Sequence, residues 1–234
     1  MSFVTLLLAA FAPGLFWLWF FYKKDKLEPE PKRLIVMTFL LGMGLGIPAT
    51  VLELLFTESL FAIILVAPII EEGLKYSGVR LTVYRSAEFN EPLDGIIYTA
   101  ALALGFASME NWLYLLAAYL NASDMAQSTE TLSPFGVVAS VFVVRAFLSV
   151  PSHVLYSSMW GSALGRAKFA DPAQGNAMIQ RGLLLAILCH GLFNFFASHF
   201  PEAVVGEVVL MVVMWGIVLR SIRECQKASP HRSL

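Results

Sequence analysis

The sequence predicts an all-α polytopic membrane protein of about seven transmembrane helices, with the N-terminus outside and the C-terminus in the cytoplasm. Composition is the first ground: 58% of the 234 residues are hydrophobic and 14% are charged, against about 25% charged in soluble domains. A second is the recurrence of apolar runs of about 20 residues, the length a helix needs to cross the hydrocarbon core. The third is the placing of lysine and arginine, which gather in alternate connectors, and positive charge marks the cytoplasmic side. The basic residues are few and on one side, so nucleic acid is not a partner. Glycine-rich phosphate loops, a serine elbow and Cys-x-x-Cys pairs are missing, and Cys189 and Cys225 suggest no disulfide framework.

The first span covers 2–22. No basic residue precedes its apolar run and Lys23, Lys24 and Lys26 follow it, the reverse of a cleaved signal peptide, so the helix is expected to be retained. A charged connector with Pro29 and Pro31 leads to the second span, 34–56, where Gly42 and Gly46 stand at a spacing that lets helices approach closely. The third span, 59–84, carries Ala-Pro-Ile-Ile-Glu-Glu-Gly-Leu-Lys from Ala67 to Lys75. The fourth, 93–120, holds Glu110 and Asn111; a polar outer loop, 121–133, has no basic residue. The fifth, 134–165, contains Arg145, Pro151 and His153. A basic loop, 166–180, precedes the sixth span, 181–200, with His190 and Asn194, and the seventh is 203–222. No internal repeat breaks the chain, and 1–234 reads as one transmembrane domain.

This register puts Lys23, Lys24, Lys26, Lys32, Arg33, Arg80, Arg85, Arg166, Lys168, Arg181, Arg220, Arg223, Lys227 and Arg232 on one side. Only Lys75 and Arg145 are left inside the membrane. An ionisable group there costs about 2.5 to 3.5 kcal/mol or more, so it marks a functional site. Counted from the cytoplasmic ends, Glu71, Glu110, His153 and His190 lie roughly 14 to 26 Å deep at a rise of 1.5 Å per residue, near the midplane or its cytoplasmic side. Four helices thus bring titratable groups to one layer. Positions i and i+4 share a helix face, so Glu71 can pair with Lys75, His190 and Asn194 point together, and Phe106 lies on the face of Glu110. Glu72 is turned about 100° from Glu71, so the two carboxylates cannot have identical roles. Pro68 and Pro151 stand just ahead of Glu71 and His153, where they can kink their helices and admit water.

Glu71, Glu72, Glu110, His153, His190 and Asn194 are therefore the candidate catalytic residues of an intramembrane hydrolase. Imidazole and carboxylate together suit Zn2+ or another divalent metal, which typically takes three protein ligands at a catalytic centre; the candidate set is Glu110, His153 and His190, with Glu71 as a further donor. A metal-free route is equally open, with Glu71 activating water and His190 and Asn194 stabilising the oxyanion. Glu53 and Glu207 read as structural or interfacial, and Arg145 as a counter-ion to a buried glutamate. A proton-coupled transporter is the alternative that would bury the same Glu/His cluster, but such proteins usually show repeated halves.

Glu71-Glu72-x-x-Lys75, Phe106-x-x-x-Glu110 followed by Asn111, His153 in the fifth span and His190-x-x-x-Asn194 together resemble the PrsW family, bacterial membrane-embedded proteases within the wider superfamily of prenyl-protein (CAAX) proteases. The resemblance covers about 67–196. It implies a multi-span protein of the cell membrane that hydrolyses a peptide bond of a single-span, membrane-anchored protein, in first-step cleavage of an anti-sigma factor. CAAX enzymes carry Glu-Glu-x-x-x-Arg and Phe-x-x-x-His where this chain has Lys75 and Glu110, which favours the PrsW side.

Overall fold

The computed structural model describes residues 2–56, 59–129, 132–199 and 201–233. Its helices are α1 (Phe3–Tyr22), α2 (Lys32–Glu53), α3 (Ala67–Leu81), α4 (Asp94–Leu120), α5 (Ala122–Thr129), α6 (Pro134–Val144), α7 (Val150–Ala167), α8 (Pro172–Ser198) and α9 (Val204–Lys227). A wide π-helical turn, Ala62–Val66, leads into α3, and a second, Arg145–Ser149, joins α6 to α7. Phe200, at the end of the expected sixth span, and residues 130 and 131 of the expected outer loop lie outside the described residues.

Both wide turns have the same cause. Proline lacks an N–H, and its ring clashes with the carbonyl four residues back. For Pro68 that residue is Ile64, and for Pro151 it is Phe147, each inside a wide turn. The helix relaxes there by opening one turn, where a kink was expected. Carbonyls at such a turn take outside donors: Asn194 of α8 gives its Nδ2 proton to Ile63 O at 3.0 Å, and Trp17 of α1 gives Nε1–H to Ala146 O at 3.2 Å.

Among the described residues, six helices are long and apolar enough by length and composition to cross a membrane: α1, α2, α4, the α6–α7 unit, α8 and α9. The expected count was seven. The remaining pass, helical from 60 to 81, carries Glu71, Glu72 and Lys75, and those charges keep it out of the count. It must still cross, because the connectors flanking α2 and α3 as a pair meet at one end. There Gln226 donates to Lys24 O (2.6 Å), Lys168 to Tyr84 O (3.1 Å), the His231 ring meets Asn90 Oδ1 (3.0 Å), and Arg166 pairs with Glu224 (3.1 Å). These are the basic connectors of the charge pattern, so this end is the cytoplasmic one. Two boundaries differ from the sequence reading. The stretch 172–180, expected as loop, forms the first turns of α8, because Pro172 sits at the helix start where its fixed φ suits the first turn. The outer loop folds in part as α5.

The axis of the bundle is α4, buried without interruption from Asp94 to Ser108. It packs against α1, α2 and α7, while α7 in turn packs on α8 and α9. Lipid supplies no hydrophobic drive between helices, so close approach rests on small residues. A Cβ at Gly105 would strike Phe39 O of α2, and one at Gly42 would strike Leu102 O of α4. Leucine, valine and phenylalanine side chains of α1, α2, α8 and α9 face outward.

Candidate active site

Five of the six candidate residues meet where α3, α4, α7 and α8 face one another. At their centre is Lys75, fully buried. Its Nζ donates to Glu71 Oε2 (2.9 Å), Glu72 Oε1 (2.9 Å) and His153 Nδ1 (3.0 Å). An ammonium has three protons and no acceptor, so all three are spent. Because Nδ1 of His153 accepts, the ring carries its proton on Nε2, which stands 3.0 Å from Glu110 Oε2. The Phe106 ring covers the ammonium, its centroid 4.3 Å from Nζ.

The two adjacent glutamates are held differently. Both oxygens of Glu72 are engaged, Oε1 by Lys75 and Oε2 by Ser157 (2.7 Å) and Trp160 Nε1 (2.9 Å). Glu71 has one oxygen on Lys75, and the other lies 3.8 Å from His190 Nε2. The ring of His190 stacks on Tyr156 at 4.1 Å and 9°, which fixes its plane. Arg145, in the wide turn, pairs with Glu110 Oε1 (3.2 Å) and donates to Asn111 Oδ1 (3.0 Å), while Asn111 Nδ2 holds Ala10 O of α1 (2.8 Å). Asn194 stays apart, its amide committed to the Ile63 carbonyl.

Ser157 and Trp160 fall four and seven residues after His153, on one helical face; that spacing was visible in the sequence, but their partner was not. Glu53, expected to be structural, lies at the outer end of α2 within electrostatic reach of Glu71, Glu110 and Lys75, and its Oε1 is buried without a hydrogen bond. Counted along the observed helices, Glu71 is ten residues from Leu81, while Glu110 is ten and His190 eight residues from the outer ends of α4 and α8. The cluster thus sits at mid-bundle and leans outward on α4 and α8, where a midplane or cytoplasmic position was expected. Its most exposed member is Glu110, with 23% of the side chain accessible.

The sequence profile described as "PrsW family intramembrane metalloprotease" matches residues 30–219. The chain belongs to the PrsW family. It is 32% identical over 228 residues to Protease PrsW of Geobacillus kaustophilus, a match spanning 95% of this chain and 92% of that protein. To Protease PrsW of Halalkalibacterium halodurans it is 33% identical over 229 residues (94% and 96%), and to that of Bacillus subtilis 29% over 227 residues (94% and 95%). No solved structure matches the chain. As a PrsW protein it is a membrane-embedded protease, a multi-pass protein of the cell membrane acting on membrane-protein substrates in the bilayer; the transporter alternative is not favoured.

The PrsW family description implies a metal, and this cluster fits one. Donor atoms of Glu71, Glu110 and His153 lie within 4.8 Å of one another. Glu110 Oε2 and His190 Nδ1 are buried and receive no well-directed hydrogen bond, although Nδ1 is 3.4 Å from Glu72 Oε1. Mixed carboxylate and imidazole donors suit zinc and its neighbours. In the gathered group Glu71 takes the place that the sequence reading assigned to His190.

Proposed function

We propose that this chain is a zinc-class intramembrane endopeptidase that makes the first cut in a single-span anti-sigma factor, with Glu71, Glu110 and His153 holding the metal. The observation that carries this reading is the mutual approach of those three donor sets at mid-bundle, in a chain of an intramembrane metalloprotease family. The substrate class follows the family resemblance, and the outward lean of the cluster supports cleavage from the outer half of the membrane. The metal, when bound, supplies Lewis-acid activation of water and of the peptide carbonyl.

The chain's own residues do the rest. Lys75 binds Glu71 and Glu72 as their shared counter-ion, and His153 would hold a metal through Nε2 once that nitrogen gives up its proton and Nδ1 takes one in exchange for its Lys75 contact. Arg145 keeps Glu110 turned towards His153. His190, aligned by Tyr156 and within 3.8 Å of Glu71, is placed to pass a proton between that carboxylate and the leaving amine. Glu72, saturated by hydrogen bonds, positions Lys75. Asn194 acts through the wide turn it braces.

The test is metal analysis of purified protein alongside cleavage of a single-span substrate by wild type, Glu71→Ala and His190→Ala. One bound divalent ion per chain and loss of cleavage in both variants are expected. Full cleavage by both variants overturns the site, and metal at background in active enzyme overturns the metal centre.

A further inference from the structure

The cytoplasmic end holds a second concentration of buried charge that proteolysis does not use. Asp25 and Glu30 come from the α1–α2 connector, Glu91 from the connector ahead of α4, and Asp94 from the first residue of α4. Their exposures are 4%, 1%, 0% and 0%. Some oxygens are satisfied: Asp25 Oδ2 accepts from Glu30 N (2.9 Å), Asp94 Oδ2 from Asn90 N (2.6 Å) and Glu91 N (2.8 Å), and Glu30 Oε2 from the Tyr98 hydroxyl. The others are not. Asp25 Oδ1, Glu30 Oε1, Asp94 Oδ1 and both oxygens of Glu91 are buried without a hydrogen bond, as is Glu28 Oε2 nearby. Among the described residues no lysine or arginine lies in ion-pair contact with any of them. Lys168, whose field reaches Asp94, directs one ammonium proton to Tyr84 O and makes no ion pair with the cluster. From the C-terminal tail His231 and Ser229 face Glu91.

We propose that Asp25, Glu30, Glu91 and Asp94 form a cation site, separate from the intramembrane centre, that holds a hydrated hard divalent ion of the Mg2+ class. Buried carboxylates need a cation or a proton as well as hydrogen bonds, and here lysine and arginine supply no ion pair while oxygens are left over. An all-oxygen set selects hard cations. No three carboxylates of this cluster come as close together as the donors of Glu71, Glu110 and His153, so an ion here keeps water in its shell, as Mg2+ usually does while using one or two carboxylates. The wholly buried Glu91, with no well-directed hydrogen bond on either oxygen and Ser229 and His231 facing it, is the strongest single pointer. Filling the site ties the α1–α2 connector, the connector before α4 and the C-terminal tail into one clamp.

Tyr98, bonded to Glu30, supplies a built-in antenna. Purified full-length protein is titrated with Tb3+ under tyrosine excitation, with Mg2+ as competitor, and its melting temperature is read with and without Mg2+. Expected are saturable emission displaced by Mg2+, an affinity lowered about tenfold or more in Glu91→Gln and Asp94→Asn, and emission retained in Glu110→Gln. Mg2+ should also raise the melting temperature of wild type but not of Glu91→Gln. Asp94→Asn gives up hydrogen bonds and can fail to fold; Glu91→Gln gives up no well-directed one and can still accept from Ser229, so it decides alone if necessary. Emission indifferent to Glu91→Gln, or lost with Glu110→Gln only, overturns the proposal. So does a melting temperature that ignores Mg2+ and answers only to pH, which would mean that protons fill the cluster.

Discussion

Lys75 has spent every proton it owns, and Glu72 every oxygen, so both are set residues with little freedom to act on a substrate. Glu71 and Glu110 each keep an oxygen turned to the cluster. This difference predicts different mutant behaviour. Glu71→Ala and Glu110→Gln each remove a carboxylate that would hold the metal and lower cleavage by about 10²-fold or more, with the fold intact by circular dichroism. Lys75→Ala leaves two carboxylates uncompensated in the membrane, which costs about 3 to 5 kcal/mol, and a thermal melt registers it before any assay does. Asn194→Ala, which removes one hydrogen bond to a backbone carbonyl worth about 1 kcal/mol, reduces cleavage by less than about tenfold. Near-abolition of activity by that change would return Asn194 to the reacting groups. Local spacing made part of this legible: the i, i+4 rule pairs Glu71 with Lys75 and lines up His153, Ser157 and Trp160. Which glutamate faces Trp160, and where the Asn194 amide turns, depends on the register between helices that one strand of sequence does not contain.

At the scale of helices, two features organise the site: the wide turns ahead of α3 and within the α6–α7 unit, and the contact of α2 with α4. Prolines at 68 and 151 advertised irregular helices in the sequence, but the form, a widened turn braced by Asn194 or Trp17, depends on donors from other helices. Glycine spacing was a weak signal in the sequence and becomes specific only in the packed pair. Gly105 and Gly42 face backbone carbonyls of the opposing helix, whereas a Cβ at Gly44 meets nothing within 4 Å. Gly105→Ala therefore destabilises by about 1 to 3 kcal/mol through overpacking, while Gly44→Ala is neutral or slightly stabilising, as a better helix former. Thermal melts of the two variants in the same detergent check the contrast. The pass at 60–81 was legible from charge alternation although its own Glu71, Glu72 and Lys75 disguise it, because the lysines and arginines of neighbouring connectors report its direction.

Taken whole, the molecule buries carboxylates at two levels, one in the membrane and one at its cytoplasmic rim, and the rim was the level that sequence reading passed over as a charged connector. Composition tells that 23–33 is charged; only folding tells that Asp25 and Glu30 turn inward while the lysines turn out. Burial, reinforced by Glu91, Asp94 and Glu28, raises Asp25 from 3.8 to about 7 and, with Asp94, Glu30 from 4.5 to about 10. Between the unfolded and folded values the native state binds more protons, so stability must fall as pH rises. In chelator, the melting temperature is highest below about pH 4 on account of these two groups and declines through pH 7 towards pH 10; saturating Mg2+ flattens that decline. A final consequence follows from the pairing of Lys75 with its own neighbours three and four residues back. The ribosome delivers this helix to the translocon before any of α4, α7 or α8 exists, so the newborn segment enters lipid with no foreign partner for its acids. The lysine is then its only internal chaperone, and the price of replacing it falls on biogenesis: less Lys75→Ala chain should reach the membrane at all, measured as inserted protein per unit synthesised, before a single substrate is met.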